Sequence, residues 1–156
     1  MQNILLVGAG NVGSRYLQGL SSVKLDLCIT VVDPSDLSLK KATKRWLDVG
    51  GDKPQHKICW CNELPQDLDL IDLAIITTSA GGRADLIKNI SKSVRVSYWV
   101  LEKVLAQSKE ELDNIKTATI DAKGTWVNMV RRILDWHQQL KLKFYEQGPL
   151  KVKKIG

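Results

Sequence analysis

The sequence predicts an α/β fold with a doubly wound, mostly parallel sheet. Short apolar runs typical of strands buried on both faces alternate with stretches of helical periodicity along the chain. Such alternation produces crossover connections, which place successive strands parallel to one another. The first apolar run, residues 4–7, passes directly into a glycine-rich turn and then into a helix. In folds of this class, ligands bind at the carboxyl edge of the sheet, where that turn would lie.

The glycine-rich turn predicts a binding site for a dinucleotide. Gly8 permits the tight turn off the strand, Gly10 lets bare backbone approach a pyrophosphate, and Gly13 lets the helix lie close to the sheet. The free N–H groups and the positive dipole end of the helix would face the phosphates, so Asn11 and Val12 join the predicted cofactor-binding residues. The alternative is a glycine turn of an α/β protein that binds no ligand.

A carboxylate follows the second predicted strand. The apolar run of residues 27–32 ends in Asp33, which lies twenty residues after Gly13. A carboxylate at this place can accept hydrogen bonds from the adenosine ribose and would repel a 2′-phosphate. The sequence therefore predicts that Asp33 binds the cofactor and that the cofactor is NAD in preference to NADP.

The first two helices are predicted from apolar residues at helical spacing. The first covers residues 11–20. The second is capped by Ser35 or Asp36 and stops at Gly50 and Gly51. The predicted inner faces are Val12, Tyr16, Leu17 and Leu20 in the first helix and Leu39, Ala42, Trp46 and Leu47 in the second.

The third and fourth strands are predicted at residues 57–60 and 70–77. The fourth strand ends in a loop of small residues that begins with three hydroxyl groups, those of Thr77, Thr78 and Ser79. Because this loop would lie at the carboxyl end of a central strand, we expect all three residues to contact the cofactor.

Two charged residues end the fifth predicted strand. A helix over residues 83–91 leads to this strand at residues 94–101, and Glu102 and Lys103 follow it. Charged groups at that point would sit beside the nicotinamide half of a dinucleotide bound at the glycine turn. A solvated strand end is the alternative interpretation.

The last part of the chain continues the alternation. Ser108 and Glu111 form a capping-box pattern that opens a helix to residue 119. A sixth strand is predicted at residues 125–130 and a further helix at residues 135–145. The apolar stripe of that last helix holds Trp136, Leu140 and Phe144.

Composition is that of an ordinary globular protein. The 156 residues, 44% hydrophobic and 26% charged, suffice for one domain. The sequence shows neither a signal-peptide pattern nor an apolar run of membrane-spanning length, so we expect a cytoplasmic protein with no membrane partner. Its three cysteines, Cys28, Cys59 and Cys61, lack metal-site spacing. We expect reduced packing residues, although Cys59 and Cys61 would lie on the same side of a strand.

The net charge of +6 belongs entirely to residues 123–156, because residues 1–122 hold fifteen basic and fifteen acidic side chains. A basic tail could meet nucleic acid or an anionic surface. No nucleic-acid-binding motif and no interleaving of basic with aromatic residues accompanies it, so we expect no nucleic-acid partner. A solvated helix face is the simpler interpretation.

The chain carries five motifs in this order: residues 8–15, Asp33-Pro34-Ser35, Thr77-Thr78-Ser79, Leu101-Glu102-Lys103, and Val127-Asn128 followed by Arg131-Arg132. They resemble those of the Gfo/Idh/MocA oxidoreductases, and the resemblance covers the whole chain. Many dehydrogenases share the glycine motif, whereas a Glu-Lys pair after the fifth strand followed by Asn-x-x-Arg-Arg is more specific. Residues 13–20 and 101–104 are most similar to members associated with bacterial surface-polysaccharide pathways.

The resemblance implies a Rossmann domain that binds NAD(P) for hydride transfer at a hydroxyl-bearing carbon of a sugar, cyclitol or sugar nucleotide. It also implies that Lys103 contacts the reacting hydroxyl and assists proton transfer, that Glu102 lies near the nicotinamide ribose, and that Asn128 binds the cofactor. An ammonium group can stabilise alkoxide character as hydride leaves. Two positions depart from the pattern. Val104 replaces a proline that would favour a cis peptide, and Arg83 stands where a histidine is frequent.

The family continues into a second, mostly antiparallel domain that covers the nicotinamide, supplies substrate residues and often forms a dimer. Residues 1–146 would then be the cofactor domain and residues 147–156 the first strand of the second domain, whose remainder would bind the sugar or nucleotide-sugar substrate and support a homo-oligomer. Arg83 near the active edge would suit a phosphate-bearing substrate or form an ion pair on the helix surface. The other function left open is a non-catalytic dinucleotide-binding module for regulation or redox sensing.

Overall fold

The computed structural model describes residues 1–68, 70–129 and 134–147, the side chain of Gln147 excepted. Strands and helices alternate through these ranges, as predicted. The strands are β1 (Gln2–Val7), β2 (Leu27–Val32), β3 (His56–Cys61), β4 (Ile71–Ile76), β5 (Val96–Leu101) and β6 (Gly124–Val127). The helices are α1 (Asn11–Leu20), α2 (Asp36–Asp48), α3 (Arg83–Ser93), α4 (Lys109–Ala118) and α5 (Asp135–Gln147).

The six described strands form one parallel sheet in the order β3-β2-β1-β4-β5-β6. The chain builds outward from β1 in one direction and then returns to build outward from β4 in the other, so the doubly wound prediction is confirmed. Val7 stands opposite both Val32 and Ile76 in the register. The carboxyl ends of β1, β2 and β4 therefore lie level, and the crevice between β1 and β4 opens above them.

Apolar side chains of the central strands pack on both faces of the sheet. In β1, Leu5 and Leu6 are fully buried although they point to opposite faces. Leu6 belongs to a cluster with Leu17 of α1 and Trp46 of α2. Leu5 belongs to a second cluster, with residues of α3 and α4 such as Ile87. Helix layers on both faces explain why this strand is a continuous apolar run rather than an alternating one.

The predicted inner faces of α1 and α2 are wrong at two positions. Val12 is 46% exposed and Leu47 is 54% exposed, whereas Gly13 and Ser14 are buried. Because Gly13 has no side chain, α1 approaches β1 closely at this point and turns the neighbouring Val12 aside. Leu47 lies in the last turn of α2, beyond the buried Trp46.

Several element bounds differ from the predictions by one to three residues. β3 gains a residue at each end, β4 loses Leu70 and Thr77, and β5 begins at Val96. α3 runs two residues further than predicted, to Ser93. β6 covers Gly124–Val127 rather than residues 125–130, of which Val130 lies outside the described residues.

The last helix forms where it is predicted, but its predicted apolar stripe is not buried. α5 begins at Asp135 as predicted and continues to Gln147. The side chains of Trp136, Leu140 and Phe144 are 56%, 39% and 43% exposed, so the predicted inner face is not an inner face here. Residues 147–156 are predicted to begin a second domain with a strand, but Gln147 is the last residue of α5, so the prediction is wrong at that residue. Residues 148–156 lie outside the described residues. Within the described ranges no helix combines the length and the apolar character that a membrane crossing requires.

Candidate functional site

The glycine turn has the backbone geometry that its sequence predicts. Gly8 has a φ of +98°, in the left-handed region that disfavours a side chain. A Cβ atom on Gly13 would lie 1.8 Å from the Gly8 carbonyl oxygen, so only glycine allows this approach of helix to strand. A Cβ atom on Gly10 would meet none of the described atoms within 4 Å. The turn is therefore closely packed at Gly8 and Gly13, whereas Gly10 faces open space, where a phosphate would lie.

Thr77 supports the turn from the end of β4. Its hydroxyl oxygen lies 2.6 Å from the Gly8 carbonyl oxygen and 3.1 Å from the Val7 carbonyl oxygen. The single hydroxyl proton can be donated to either of these two acceptors. The side chain therefore ties β4 to the turn. A direct contact of Thr77 with the cofactor stays a prediction.

The two hydroxyl groups that follow differ from each other. The Thr78 hydroxyl is buried and has no hydrogen-bond partner among the described residues. Ser79 is exposed. Both lie on the loop after β4, at the edge where the sequence places them, and their predicted contacts with a cofactor remain predictions.

Asp33 joins three parts of the site through its carboxylate and its backbone. One carboxylate oxygen accepts the Ala9 N–H of the glycine turn at 2.7 Å, and the other accepts the Ser35 N–H at 2.8 Å. Its own N–H donates to the Cys61 carbonyl oxygen at 3.0 Å. A carboxylate oxygen can accept more than one hydrogen bond, so both oxygens retain capacity for ribose hydroxyl groups. Asp33 thus sits where the sequence predicts it and also holds the turn.

Glu102 is buried at the end of β5, with 8% of its surface exposed. Its Oε1 accepts the Tyr16 hydroxyl at 2.8 Å and the Asn128 side-chain amide at 2.5 Å. The carboxylate therefore joins α1, β5 and the residue after β6. The sequence prediction brought Glu102 and Asn128 to one edge, but it treated Tyr16 only as a packing residue. The hydroxyl group of a buried tyrosine usually has a hydrogen-bond partner, so the residue type itself was a signal for such a partner.

The environment of Tyr16 disfavours ionisation of its phenol. Burial raises the pKa of Tyr16 most, and the hydrogen bond to Glu102 and the negative charge of that carboxylate raise it further. The Asn128 amide acts weakly in the opposite direction. The phenol therefore remains a hydrogen-bond donor to Glu102 through the neutral pH range.

Arg83 is neither a substrate-facing group nor part of a surface ion pair, so both sequence interpretations are wrong. It is 1% exposed, and its guanidinium donates to the main-chain carbonyl oxygens of Thr78, Glu102 and, at 2.5 Å, Val104. Burial lowers the pKa of Arg83, an effect that the Glu102 charge opposes. A side chain that begins α3 therefore clamps the loop after β4 to the loop after β5.

Lys103 lies on the clamped loop, and its side chain is exposed. It makes no hydrogen bond or ion pair to any residue that the structure describes. The peptide bond between Lys103 and Val104 is cis, although Val104 replaces the proline of the family pattern. The ammonium group is therefore free to meet a substrate at the carboxyl edge of the sheet, and its catalytic role stays a prediction.

A second cation, Arg45, lies beside the glycine turn, and the sequence analysis missed it. Its guanidinium donates to the Asn11 side-chain oxygen at 3.1 Å and to the Ser14 hydroxyl at 2.5 Å. Both acceptors belong to the first turn of α1. No carboxylate among the described residues pairs with Arg45. No spacing in the sequence relates residue 45 to residue 11, because the contact depends on how α2 packs against α1.

Most of the predicted site residues lie at one edge of the sheet. The glycine turn, with Asn11 and Val12 at the start of α1, follows β1, and Asp33 follows β2. The hydroxyl loop follows β4, Glu102 and Lys103 follow β5, and Asn128 follows β6. These strand ends are connected to one another by the Ala9 N–H that Asp33 accepts and by the hydroxyl groups that Thr77 and Tyr16 donate. The predicted Arg131 and Arg132 lie outside the described residues.

Comparisons with solved structures identify the fold. A Gfo/Idh/MocA family oxidoreductase from Vibrio cholerae matches with a TM-score of 0.68 and 16% identity over 94% of this chain and 44% of its own. A myo-inositol dehydrogenase from Lactobacillus casei, in complex with NAD(H) and myo-inositol, matches with a TM-score of 0.67 and 18% identity over 95% and 42%. A protein provisionally named an NADPH-dependent oxidoreductase from Desulfitobacterium hafniense gives 0.65 and 17% over 94% and 40%.

These likenesses confirm, at the level of the fold, the resemblance drawn from the sequence motifs. The chain has the Rossmann architecture found in part of Gfo/Idh/MocA oxidoreductases and inositol dehydrogenases. It spans about two fifths of the length of these structures. No protein-family model and no curated protein sequence matches it.

Proposed function

We propose that this chain is the NAD(P)-binding domain of an oxidoreductase that transfers hydride between a nicotinamide cofactor and a hydroxyl-bearing carbon of a sugar, cyclitol or nucleotide sugar. The observation that carries the proposal is the hydrogen bond between the Asp33 carboxylate and the glycine turn. A carboxylate that accepts the Ala9 N–H at 2.7 Å is held beside a turn whose Gly10 face is open. This places a candidate ribose acceptor directly beside a candidate phosphate seat.

The residues present suit the phosphates of a dinucleotide. The backbone N–H groups at the start of α1 have no side-chain cap, since Gly10 stands at the N-cap position. Those groups and the helix dipole attract an anion, and Arg45, which pairs with no carboxylate in the described part of the chain, adds a positive charge at the same turn. Asp33 favours a free ribose 2′-hydroxyl over a 2′-phosphate, so we expect NAD to bind more tightly than NADP.

We assign the contact with the reacting substrate hydroxyl to Lys103. The bound cofactor supplies the hydride acceptor or donor. Lys103, exposed at the end of β5, would hold a substrate hydroxyl and stabilise its alkoxide character, while Glu102, held by Tyr16 and Asn128, maintains the strand end from which Lys103 projects. A binding module without catalysis is not favoured, because the structural neighbours are dehydrogenases and oxidoreductases.

Residues 1–146 are proposed as the cofactor domain, and residues 147–156 as the start of a second domain. The support is that the chain matches only about two fifths of its structural neighbours while nearly all of it takes part in the match. One of these neighbours was solved with myo-inositol, which is a cyclitol. We therefore propose that substrate selection and turnover require the longer protein, which would contain both the cofactor domain and the second domain.

Calorimetric titration with NAD, NADH and NADP tests the proposal on this chain. Gly10→Ala should weaken NAD binding about tenfold or more, because its methyl group would occupy the open phosphate seat. Gly19→Ala is the matched control, since Gly19 lies on the same helix with equally open surroundings and away from the turn. Absence of binding by all three dinucleotides, or equal loss in both variants, would overturn the assignment.

A further inference from the structure

Two cysteine side chains meet on β3. The Sγ atoms of Cys59 and Cys61 lie 3.5 Å apart, because alternate residues of a strand project from the same face. Cys59 is exposed and Cys61 is half-buried. β3 is an edge strand of the sheet, so its outer side carries no neighbouring strand among the described residues. An oxidant of low molecular weight therefore has access to the pair.

This pair adjoins the predicted adenosine end of the site. Cys61 is the last residue of β3 and stands opposite Val32 in the register. Its carbonyl oxygen accepts the Asp33 N–H at 3.0 Å, and the Asp33 carboxylate accepts the Ala9 N–H at 2.7 Å. Two consecutive hydrogen bonds thus connect the backbone of Cys61 to the glycine turn.

We propose that Cys59 and Cys61 form a redox-active dithiol, which an oxidised low-molecular-weight disulfide converts to an intrachain disulfide, and that this oxidation weakens dinucleotide binding at Asp33. The second half rests on the proposed function, whereas the disulfide itself does not. A metal site is a weaker interpretation, since no group of three or more potential ligands surrounds the thiols within the described ranges.

The reaction is an exchange in two steps. The exposed Cys59 sulfur, as thiolate, attacks one sulfur of the small disulfide, so a mixed disulfide forms and one small thiol leaves. Cys61 then gives its proton to solvent, and its sulfur attacks that of Cys59 and releases the second small thiol. The two protein thiols are oxidised and the small disulfide is reduced to two thiols. Burial and the neighbouring Cys59 raise the pKa of Cys61 to about 11, which makes Cys59 the first nucleophile.

Closing the disulfide moves the end of β3. Alternate Cα atoms of an extended strand are about 6.6 Å apart, close to the upper end of the roughly 4.4–6.8 Å found across disulfides. Bond formation must also shorten the Sγ–Sγ distance from 3.5 Å to about 2.0 Å. Because the Cα separation is already near its upper limit, we expect part of this change to fall on the backbone and to shift the Cys61 carbonyl, which holds the Asp33 N–H. A displacement there changes the position of the carboxylate that is proposed to bind the ribose.

The disulfide is tested without any dinucleotide. The chain is treated with glutathione disulfide, and its free thiols are counted and its peptides mapped by mass. We expect the count to fall from three to one, with the bond between residues 59 and 61, and Cys28→Ser, the matched control, to form the same bond. Cys61→Ser should instead retain a mixed disulfide with glutathione at Cys59, whereas Cys59→Ser, which keeps only the less reactive Cys61 of the pair, should form little or none. Three free thiols in the treated wild type, or only mixed disulfides, would overturn the proposal.

Coupling to the site is then measured by NAD titration of the reduced and oxidised forms of Cys28→Ser. We expect oxidation to weaken NAD binding about fivefold or more, and dithiothreitol to restore it, whereas Cys59→Ser with Cys28→Ser should be insensitive. Equal affinities of the two forms would overturn the coupling. If the reduced protein binds no dinucleotide while the disulfide forms, the proposed function fails and the dithiol stands.

Discussion

The Tyr16 hydroxyl donates a 2.8 Å hydrogen bond to the Glu102 carboxylate across 86 residues of sequence. The bond joins the helix that opens at the glycine turn to the strand end that carries Lys103. The two halves of the predicted site, one for the phosphates and one for the chemistry, are thereby held in a single geometry. This contact is therefore the first to test.

Tyr16→Phe should flatten the alkaline limb of the stability profile. The pKa of Tyr16 is raised in the folded protein, chiefly by burial, so its contribution is complete below the ordinary tyrosine pKa of about 10 and is lost as the pH rises above it. Thermal unfolding between pH of about 9 and 11 should therefore show a steeper fall for the wild type than for Tyr16→Phe. Tyr145→Phe, at a residue that is 77% exposed, should keep the wild-type slope. Parallel slopes for all three proteins would contradict the prediction.

Arg83→Met should destabilise the protein by about 3 kcal/mol, because it leaves buried carbonyl oxygens of two loops without their donors. Arg83→Lys should not restore stability, since an ammonium cannot reproduce the divergent donors of a guanidinium. Urea unfolding measures both variants. Arg95→Met, at an exposed arginine, serves as the control and should change the unfolding free energy by less than about 0.5 kcal/mol. A small effect at Arg83 would show that the clamp is dispensable.

Asp33→Asn should lower the ratio of NAD to NADP affinity about tenfold, because the amide no longer repels a 2′-phosphate. The ratio is the informative quantity, since an asparagine has one acceptor oxygen for the Ala9 and Ser35 N–H groups, and the loss of one of these bonds weakens both cofactors alike. Titration with each dinucleotide measures it. Asp36→Asn removes a nearby exposed carboxylate and should leave the ratio unchanged. An unaltered ratio in Asp33→Asn would remove this residue from the ribose site.

Arg45→Gln should weaken NAD binding several-fold and leave adenosine binding unchanged, because adenosine lacks the phosphates that the guanidinium would attract. Lys44→Gln removes a neighbouring exposed charge of the same sign and should have little effect. Calorimetry with both ligands distinguishes the two. Equal losses for NAD and adenosine would indicate that Arg45 serves only to pack α2 against α1.

Lys103→Met should reduce kcat at least a hundredfold with little change in NAD affinity, in the longer oxidoreductase that we propose contains this domain. The reason is that Lys103 would act on the substrate hydroxyl and not on the cofactor. Steady-state kinetics and NAD titration together provide the measurement, and Lys88→Met, on exposed α3 surface, is the control. Comparable losses in kcat and NAD affinity would make Lys103 a cofactor contact instead.

Much of the fold could be predicted because its signals are local. The apolar runs marked the six strands, and Ser35 and Ser108 mark helix starts whose side chains accept the Ser38 and Glu111 N–H groups. In the predicted capping box, Ser108 accepts the Glu111 N–H as expected, but the Glu111 carboxylate accepts the Gln107 N–H instead of that of Ser108. The exact bounds of the strands could not be predicted because strand ends depend on the neighbouring strands. Leu70, for example, is apolar yet lies outside β4 and is exposed.

By itself, the sequence determined that the candidate site residues share one edge of the sheet. Glycines at positions 8, 10 and 13 and carboxylates at 33 and 102 follow strands whose carboxyl ends must meet at one edge of a parallel sheet. Only the tertiary structure decided how these residues are held. Arg83 faces inward, Val12 outward, and Tyr16 and Arg45 reach their partners because of how each helix is rotated and packed on the sheet. Such rotations depend on contacts between residues far apart in the chain, which no local pattern encodes.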